Sequence, residues 1–276
     1  MAHWLQKSRR FIFLLSVALS VLAHAARAQD HASDLDSHYR AVSYCRMTMW
    51  MPIFMTLSPD KHIMCFDGSM TPDLDVSLTK QLELGGLFVV RSTGGREDKA
   101  LELADLIRER HATVVVYDYC ISACAEFIIT APDRTFVLKD ALVLWHNPES
   151  GAPTDPFCAF LKTPREGGPR ALRRGPCREG SDTVEYSWAR AAQYFRERAI
   201  DPSSVMPPGS VYVRRRVTSL YEQTGVDRNI LWTLNPRYYP RLFKASIVFE
   251  DYPQSQEEVD ATAARLGIKT KIIYDP

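Results

Sequence analysis

Leu87-Phe88-Val89-Val90-Arg91 followed by Ser92-Thr93-Gly94-Gly95, Thr113-Val114-Val115-Val116-Tyr117 followed by Cys120-Ile121-Ser122-Ala123-Cys124, and Leu142-Val143-Leu144-Trp145 followed by His146-Asn147-Pro148 are three apolar strands, each with the residues that close it. Each stops at residues that bend the backbone or can do chemistry. Between the first two, Glu97 to Arg110 carries Ala100, Leu101, Ala104 and Ile107 at helical spacing. Short apolar strands alternating with amphipathic helices predict parallel β-α-β units, with strands covered on both faces.

Working outward, His62-Ile63-Met64-Cys65-Phe66 reads as a buried strand closed by Asp67-Gly68, and Thr71-Pro72-Asp73 as the start of a helix through Leu74, Leu78 and Leu82. Ser122 to Thr130 reads as a short apolar helix, and Phe136 to Leu138 and Leu142 to Trp145 as strands. Further on, helices are predicted over Asp182 to Arg198, Val211 to Thr224, Asp227 to Leu234 and Ser255 to Leu266. Strands are predicted over Lys244 to Phe249 and Thr270 to Ile273. Residues 149–181 are rich in Pro and Gly, carry six Lys/Arg and hold Cys158 and Cys177, and read as an inserted, disulfide-tied loop. Arg46 to Leu57 is Met-rich without a clear period.

The first 28 residues have the form of a signal peptide: Lys7, Arg9 and Arg10, then an apolar run from Phe11 to Ala23, then Ala26-Arg27-Ala28. Thirteen residues make a helix of about 20 Å, short of the roughly 30 Å hydrocarbon core. The expected organisation is a signal peptide (1–28), a polar lead-in (29–60) and one α/β domain (61–276), exported to the periplasm or the cell exterior. Removing residues 1–28 changes 34 basic against 33 acidic side chains to 30 against 33, a formal charge of −3. That balance gives no electrostatic reason to expect a nucleic-acid partner. The even set Cys45, Cys65, Cys120, Cys124, Cys158 and Cys177 favours disulfides in an oxidising compartment, and proximity suggests the pairs 45–65, 120–124 and 158–177. No Cys-x-x-Cys occurs, and neither a metal nor a cofactor is expected.

Ser122 falls where a strand passes into a helix, so its hydroxyl meets free N–H groups at the helix's positive end. This suits a nucleophile beside oxyanion donors, and equally a plain helix cap. His146 ends a strand and has the chemistry to take the serine proton. A cysteine nucleophile paired with His146 is the rival reading.

Phe66-Asp67-Gly68, Ser92-Thr93-Gly94-Gly95, Ser122-Ala123 and His146-Asn147-Pro148, in that order, resemble the Clp protease proteolytic subunit within the ClpP/crotonase-like fold. Asp133 to Leu138, Thr224-Gly225 and Glu257-Glu258 followed by Leu266-Gly267-Ile268 are similar to further parts of that family. The Cys-x-Ser-x-Cys spelling looks like a secreted branch of it. The resemblance implies an α/β fold of repeated ββα units, with Ser122 as nucleophile, His146 as base, and the backbone N–H groups of Gly95 and Ala123 as the oxyanion hole. It implies a peptide or small ester substrate and admits a homo-oligomer. An exported chain meets no ATP supply, so no unfoldase partner is expected. Two departures stand out: Thr93 replaces the family's Pro, and the position of the triad acid falls near Tyr238, with Asp182, Glu250 and Asp251 as other carboxylates in reach of the argument. A catalytically inactive binding or scaffolding member of the fold is the alternative.

Overall fold

The computed structural model describes residues 34–48, 54–146, 182–200, 209–224 and 230–276. Residues 1–28, expected as a signal peptide, and residues 149–181, expected as an inserted loop, lie outside the described residues, as do Cys158, Cys177, Asn147 and Pro148. The chain divides into two units, residues 1–46 and 47–276.

In the first unit, residues 34–46 belong to a helix, α1 (34–48), where the sequence reads as a loose polar lead-in. Its buried residues are His38, Ala41, Val42 and Cys45, an i, i+3, i+4, i+7 stripe. Intervening charges such as Arg40 and Asp36, an i,i+4 ion pair at 2.6 Å, disguise that stripe in the sequence.

The second unit is mixed α/β around a central sheet. Strands β1 (Met55–Leu57), β2 (Ile63–Met70), β3 (Leu87–Gly95), β4 (Thr113–Ile121), β5 (Arg134–Val137) and β8 (Ser246–Phe249) lie in that order, and β6 (Leu142–Leu144) also pairs with β4. All pairings are parallel except β1 with β2. Helix α2 (Glu97–Glu109) makes the β3-to-β4 crossover and buries Ala100, Leu101, Leu103, Ala104, Leu106 and Ile107. Helices α3 (Asp182–Arg198) and α4 (Val211–Thr224) follow. A one-turn helix, α5 (Tyr239–Leu242), precedes β8, and α6 (Gln256–Arg265) precedes the last strand, β9 (Lys271–Asp275).

Two expected helices are not helices of the expected kind. The Thr71-to-Leu82 stretch forms only a short 3-10 turn, Ser77–Gln81. Leu74, Val76, Thr79 and Leu82 are its buried residues, a spacing no single α-helical face accommodates, and the Asp75 carboxylate accepts from the Ser77 amide at 2.8 Å to set the turn. Asp227 to Leu234 reads as a helix, yet Ile230–Leu234 is strand β7, paired in parallel with β9 in a second, two-stranded sheet. All five of its residues are buried, and a continuous apolar run is how a strand covered on both faces is written. Strands β2, β3 and β4 each run further than predicted: β2 passes through Asp67-Gly68 to Met70, with a register shift between Gly68 and Ser69.

Candidate active site

The ends of β4 and β6 carry the two expected side chains and bring them together. Ser122 Oγ lies 2.7 Å from His146 Nε2. With the ring proton on Nδ1, Nε2 accepts the serine hydroxyl hydrogen, the arrangement needed to raise that oxygen's nucleophilicity. In a parallel sheet the carboxyl ends of strands are where a ligand finds open space, and both residues sit there.

Backbone contacts hold each partner. The Ser122 amide donates to Leu144 O at 2.9 Å, and Ser122 O accepts from the Glu126 amide at 2.9 Å. Ser122 itself has φ +58°, a left-handed conformation that costs a residue with a Cβ about 1–2 kcal/mol. Beyond it the chain enters a wide π-helical turn, Cys124–Ile128, in place of a regular α-helix. The Cys120–Cys124 disulfide closes around the serine, its two Cα atoms 5.3 Å apart. Both cysteines are fully buried and spent in the disulfide, so neither is placed as an exposed nucleophile. Cys45 and Cys65 are also disulfide-bonded.

His146 owes its position to β7, the strand the sequence disguised. Trp145, the residue before it, exchanges two backbone hydrogen bonds with Trp232, at 2.8 and 2.9 Å. The Trp145 ring is completely buried and stacks on Phe243, centroids 6.0 Å apart. Tyr252 binds this region from a third side: its hydroxyl accepts from the Val143 amide at 2.9 Å and bonds Thr233 Oγ1 at 2.6 Å.

The glycines divide the work differently from expectation. Gly95 has φ +129° and is pressed on the end of β2, where an added Cβ would stand 2.5 Å from Met70 O. Gly94, with φ +81°, is the one packed on the serine turn: a Cβ there would meet Ile121 O at 2.4 Å, Ser122 Cβ at 2.7 Å and Ala123 N at 2.9 Å. Gly94 therefore sets how closely β3 approaches Ser122. A lone Gly-Gly did not reveal which member packs on the serine turn. Of the carboxylates considered for a third member, Glu250 accepts from the Lys139 amide at 3.1 Å and Asp251 pairs with Lys139 Nζ at 2.8 Å. Tyr238, where the resemblance would put the acid, donates its hydroxyl to Pro276 O at 2.5 Å. The side chain of Asp182 lies outside the described ones.

Two acids that sequence reasoning passed over lie on the two segments that meet where Gly94 packs on Ser122. Glu97 opens α2, three residues past Gly94, and Glu126 lies in the serine turn, four residues past Ser122. Burial pushes both carboxyls up, Glu126 to about 8 and Glu97 to about 7, and each is raised further by a neighbouring acid, Glu97 acting on Glu126 and Asp98 on Glu97. Glu126 had a sequence signal: it is the single charge in Ser122 to Thr130. Glu97 had none, because an acid in a first helical turn is ordinary.

On β3, Arg91 bridges Asp67 (2.6 Å) and Asp118 (3.2 Å) and lies over the rings of Tyr117 and Tyr119. Asp118, at φ +55°, lies in a bulge where the step from Val90 to Ser92 faces the step from Val116 to Cys120. A cavity of about 670 Å³ elsewhere is lined by Asp105, Arg108, His111, Arg190 and Arg198 among others. Its arginines are committed: Arg190 to Asp105, Arg108 to Glu197, Arg198 to the carbonyls of Thr130 and Pro132, and Arg134 to the face of Phe136. Among the described residues no cluster of three or more potential ligands suits a metal, and no helix is long and apolar enough to cross a membrane.

No family model matches the chain, and no curated protein does. Among solved structures, a ClpP1 point mutant from Listeria monocytogenes is similar at 16% identity and a TM-score of 0.30, over 50% of this chain and 72% of that one.

Proposed function

We propose that the chain is an exported serine hydrolase, a peptidase acting by acyl transfer without an ATP-driven partner. The observation that carries the reading is the 2.7 Å contact between Ser122 Oγ and His146 Nε2, made by a serine in a left-handed turn. Strained backbone that is held from several sides concentrates at sites of function. Here the disulfide, the Leu144 carbonyl and Gly94 all act on one residue.

In this reading Ser122 Oγ attacks the carbonyl carbon of a peptide or small ester while its proton passes to His146 Nε2. The oxyanion is received by the backbone N–H groups of Gly95 and Ala123. As the C–N or C–O bond breaks, the leaving group takes the proton from His146. Water, deprotonated by the same imidazole, then releases the acid and restores Ser122. Disulfide-bonded cysteines are compatible with an oxidising compartment, and the mature form begins at Gln29.

A fluorophosphonate probe tests the proposal. Intact-mass and peptide analysis should show one adduct, on Ser122, absent in Ser122→Ala and slowed by about 10²-fold or more in His146→Ala. No adduct anywhere between pH 6 and 9 would overturn the enzyme reading and leave a binding or scaffolding member of the fold.

A further inference from the structure

We infer that Ser92 is a positioning residue for the oxyanion hole: its buried hydroxyl holds the Gly94 amide and so fixes the turn from which Gly95 presents its own. The inference rests on the serine-hydrolase reading and adds to it the group that selects the donor.

Ser92 lies where β3 leaves its regular pairing. On the β2 side, Gly68 pairs with Ser92 and Ser69 with Gly94, so Thr93 bulges out of the ladder. On the other side, the register with β4 ends at Ser92 opposite Cys120. Two residues further along each segment, Gly94 packs on Ser122. Beyond Ser92 the amides of β3 must therefore find partners other than β4 carbonyls.

The Gly94 amide donates to Ser92 Oγ at 3.0 Å, inside the protein. The Arg96 amide donates to Met70 O at 2.8 Å and closes the bridge between Gly95 and Met70. A parallel bridge closed by the following amide leaves the bridged residue's own N–H facing away from that neighbour. Gly95 thus turns its amide from β2 toward the edge where the serine turn packs. Gly94 is the glycine in contact with Ser122, but its N–H is already bound. The Ser92 hydroxyl decides which of the two is the donor.

The position asks for that hydroxyl. Ser92 is completely buried, and alanine would fill the space without a polar group to desolvate if packing were all that mattered. Gly94 and Gly95 have φ of +81° and +129°, angles that glycine reaches freely and has no side chain to hold. A hydrogen bond tying the first glycine back to β3 supplies the constraint that glycine lacks.

The test uses the mature, disulfide-intact protein with p-nitrophenyl acetate and its thiono analogue, in which sulfur replaces the carbonyl oxygen. Sulfur is larger and a weaker acceptor, so a formed oxyanion hole favours the ester. Ser92→Ala should lower kcat for the ester about 10- to 100-fold and hold KM within about twofold. It should also shrink the ester-to-thionoester rate ratio at least about fivefold, and Ser92→Thr, which keeps the hydroxyl, should restore that ratio. A ratio unmoved in Ser92→Ala, whether both rates hold or both fall together, overturns the inference, because a merely structural role acts on the two substrates alike. The parent protein gives a second reading that needs no variant. In NMR spectra before and after phosphonylation of Ser122, the Gly95 amide proton should shift more than that of Gly94; the reverse order overturns the assignment. Neither turnover nor adduct in the parent would sink the hydrolase reading and this inference with it, whereas turnover with an unmoved ratio sinks the inference alone.

Discussion

Glu126→Gln should stabilise the fold at pH 8 and change it little near pH 4. The ordinary glutamate value is 4.5, and burial lifts Glu126 to about 8 in the folded chain. Below about 4.5 both folded and unfolded chains hold this proton, so the group adds nothing to the pH dependence. Between 4.5 and about 8 the folded chain keeps a proton the unfolded one has released, so stability falls as pH rises through that window, and the loss is complete above it. At about 1.4 kcal/mol per pH unit, the ceiling is about 5 kcal/mol. Part of that is repulsion from Glu97, which the substitution also relieves, and Glu126 keeps some contact with solvent. A gain of about 2–3 kcal/mol at pH 8 is therefore expected, or roughly 5–10 °C in midpoint for a unit of this size. The assay is urea unfolding of parent and variant at pH 4, 6 and 8, followed by circular dichroism. Taking the variant-minus-parent difference cancels the other titrating groups. A difference that stays flat from pH 4 to 8, or a variant less stable at pH 8, would refute the reasoning.

Gly94→Ala should cost at least about 3 kcal/mol and abolish Ser122 labelling, because the methyl would stand 2.4 Å from Ile121 O at a φ of +81°. Gly85→Ala, at φ +77° with nothing within 4 Å, should cost only about 1 kcal/mol by the same melts; equal costs would count against the steric argument. Replacing Cys120 and Cys124 by Ala opens a small loop worth about 2 kcal/mol. It should also slow fluorophosphonate labelling, and an unchanged rate would show that the serine turn holds itself. Tyr252→Phe strips the Val143 amide and Thr233 hydroxyl of a buried partner and should cost about 1–3 kcal/mol, read as a shift in urea midpoint.

Elements whose physics is local could be read from the chain. Strands β3 and β4 announce themselves as unbroken Val- and Phe-rich runs, and α2 by its apolar spacing. What escaped depended on tertiary partners. Leu74, Leu78 and Leu82 fall four apart by coincidence, and the carboxylate of Asp75 turns the chain before a helix can use them. Ile230 to Leu234 has a helix-like start and a proline stop, but β9 supplies a strand partner that no local pattern reveals. The same limit applied at the site. Ser122 and His146 were visible as residue types at strand ends; the carboxyl pair became visible only when α2 was folded against the serine turn.

The misread strand bears directly on the chemistry. Ser122 is tied by its amide to Leu144, and the next residue, Trp145, is tied through both backbone groups to Trp232. The distance between hydroxyl and imidazole is thus set by backbone hydrogen bonds among β4, β6 and β7, and not by the attraction of the two side chains for each other. Their contact is worth only about 1 kcal/mol, less than the cost of moving a strand that is paired in a sheet. It follows that Ser122→Ala should leave His146 where it is, so loss of activity in that variant would report lost chemistry and not a collapsed site. A crystal structure of Ser122→Ala with the imidazole displaced would reverse that conclusion and make the serine a structural partner of the histidine.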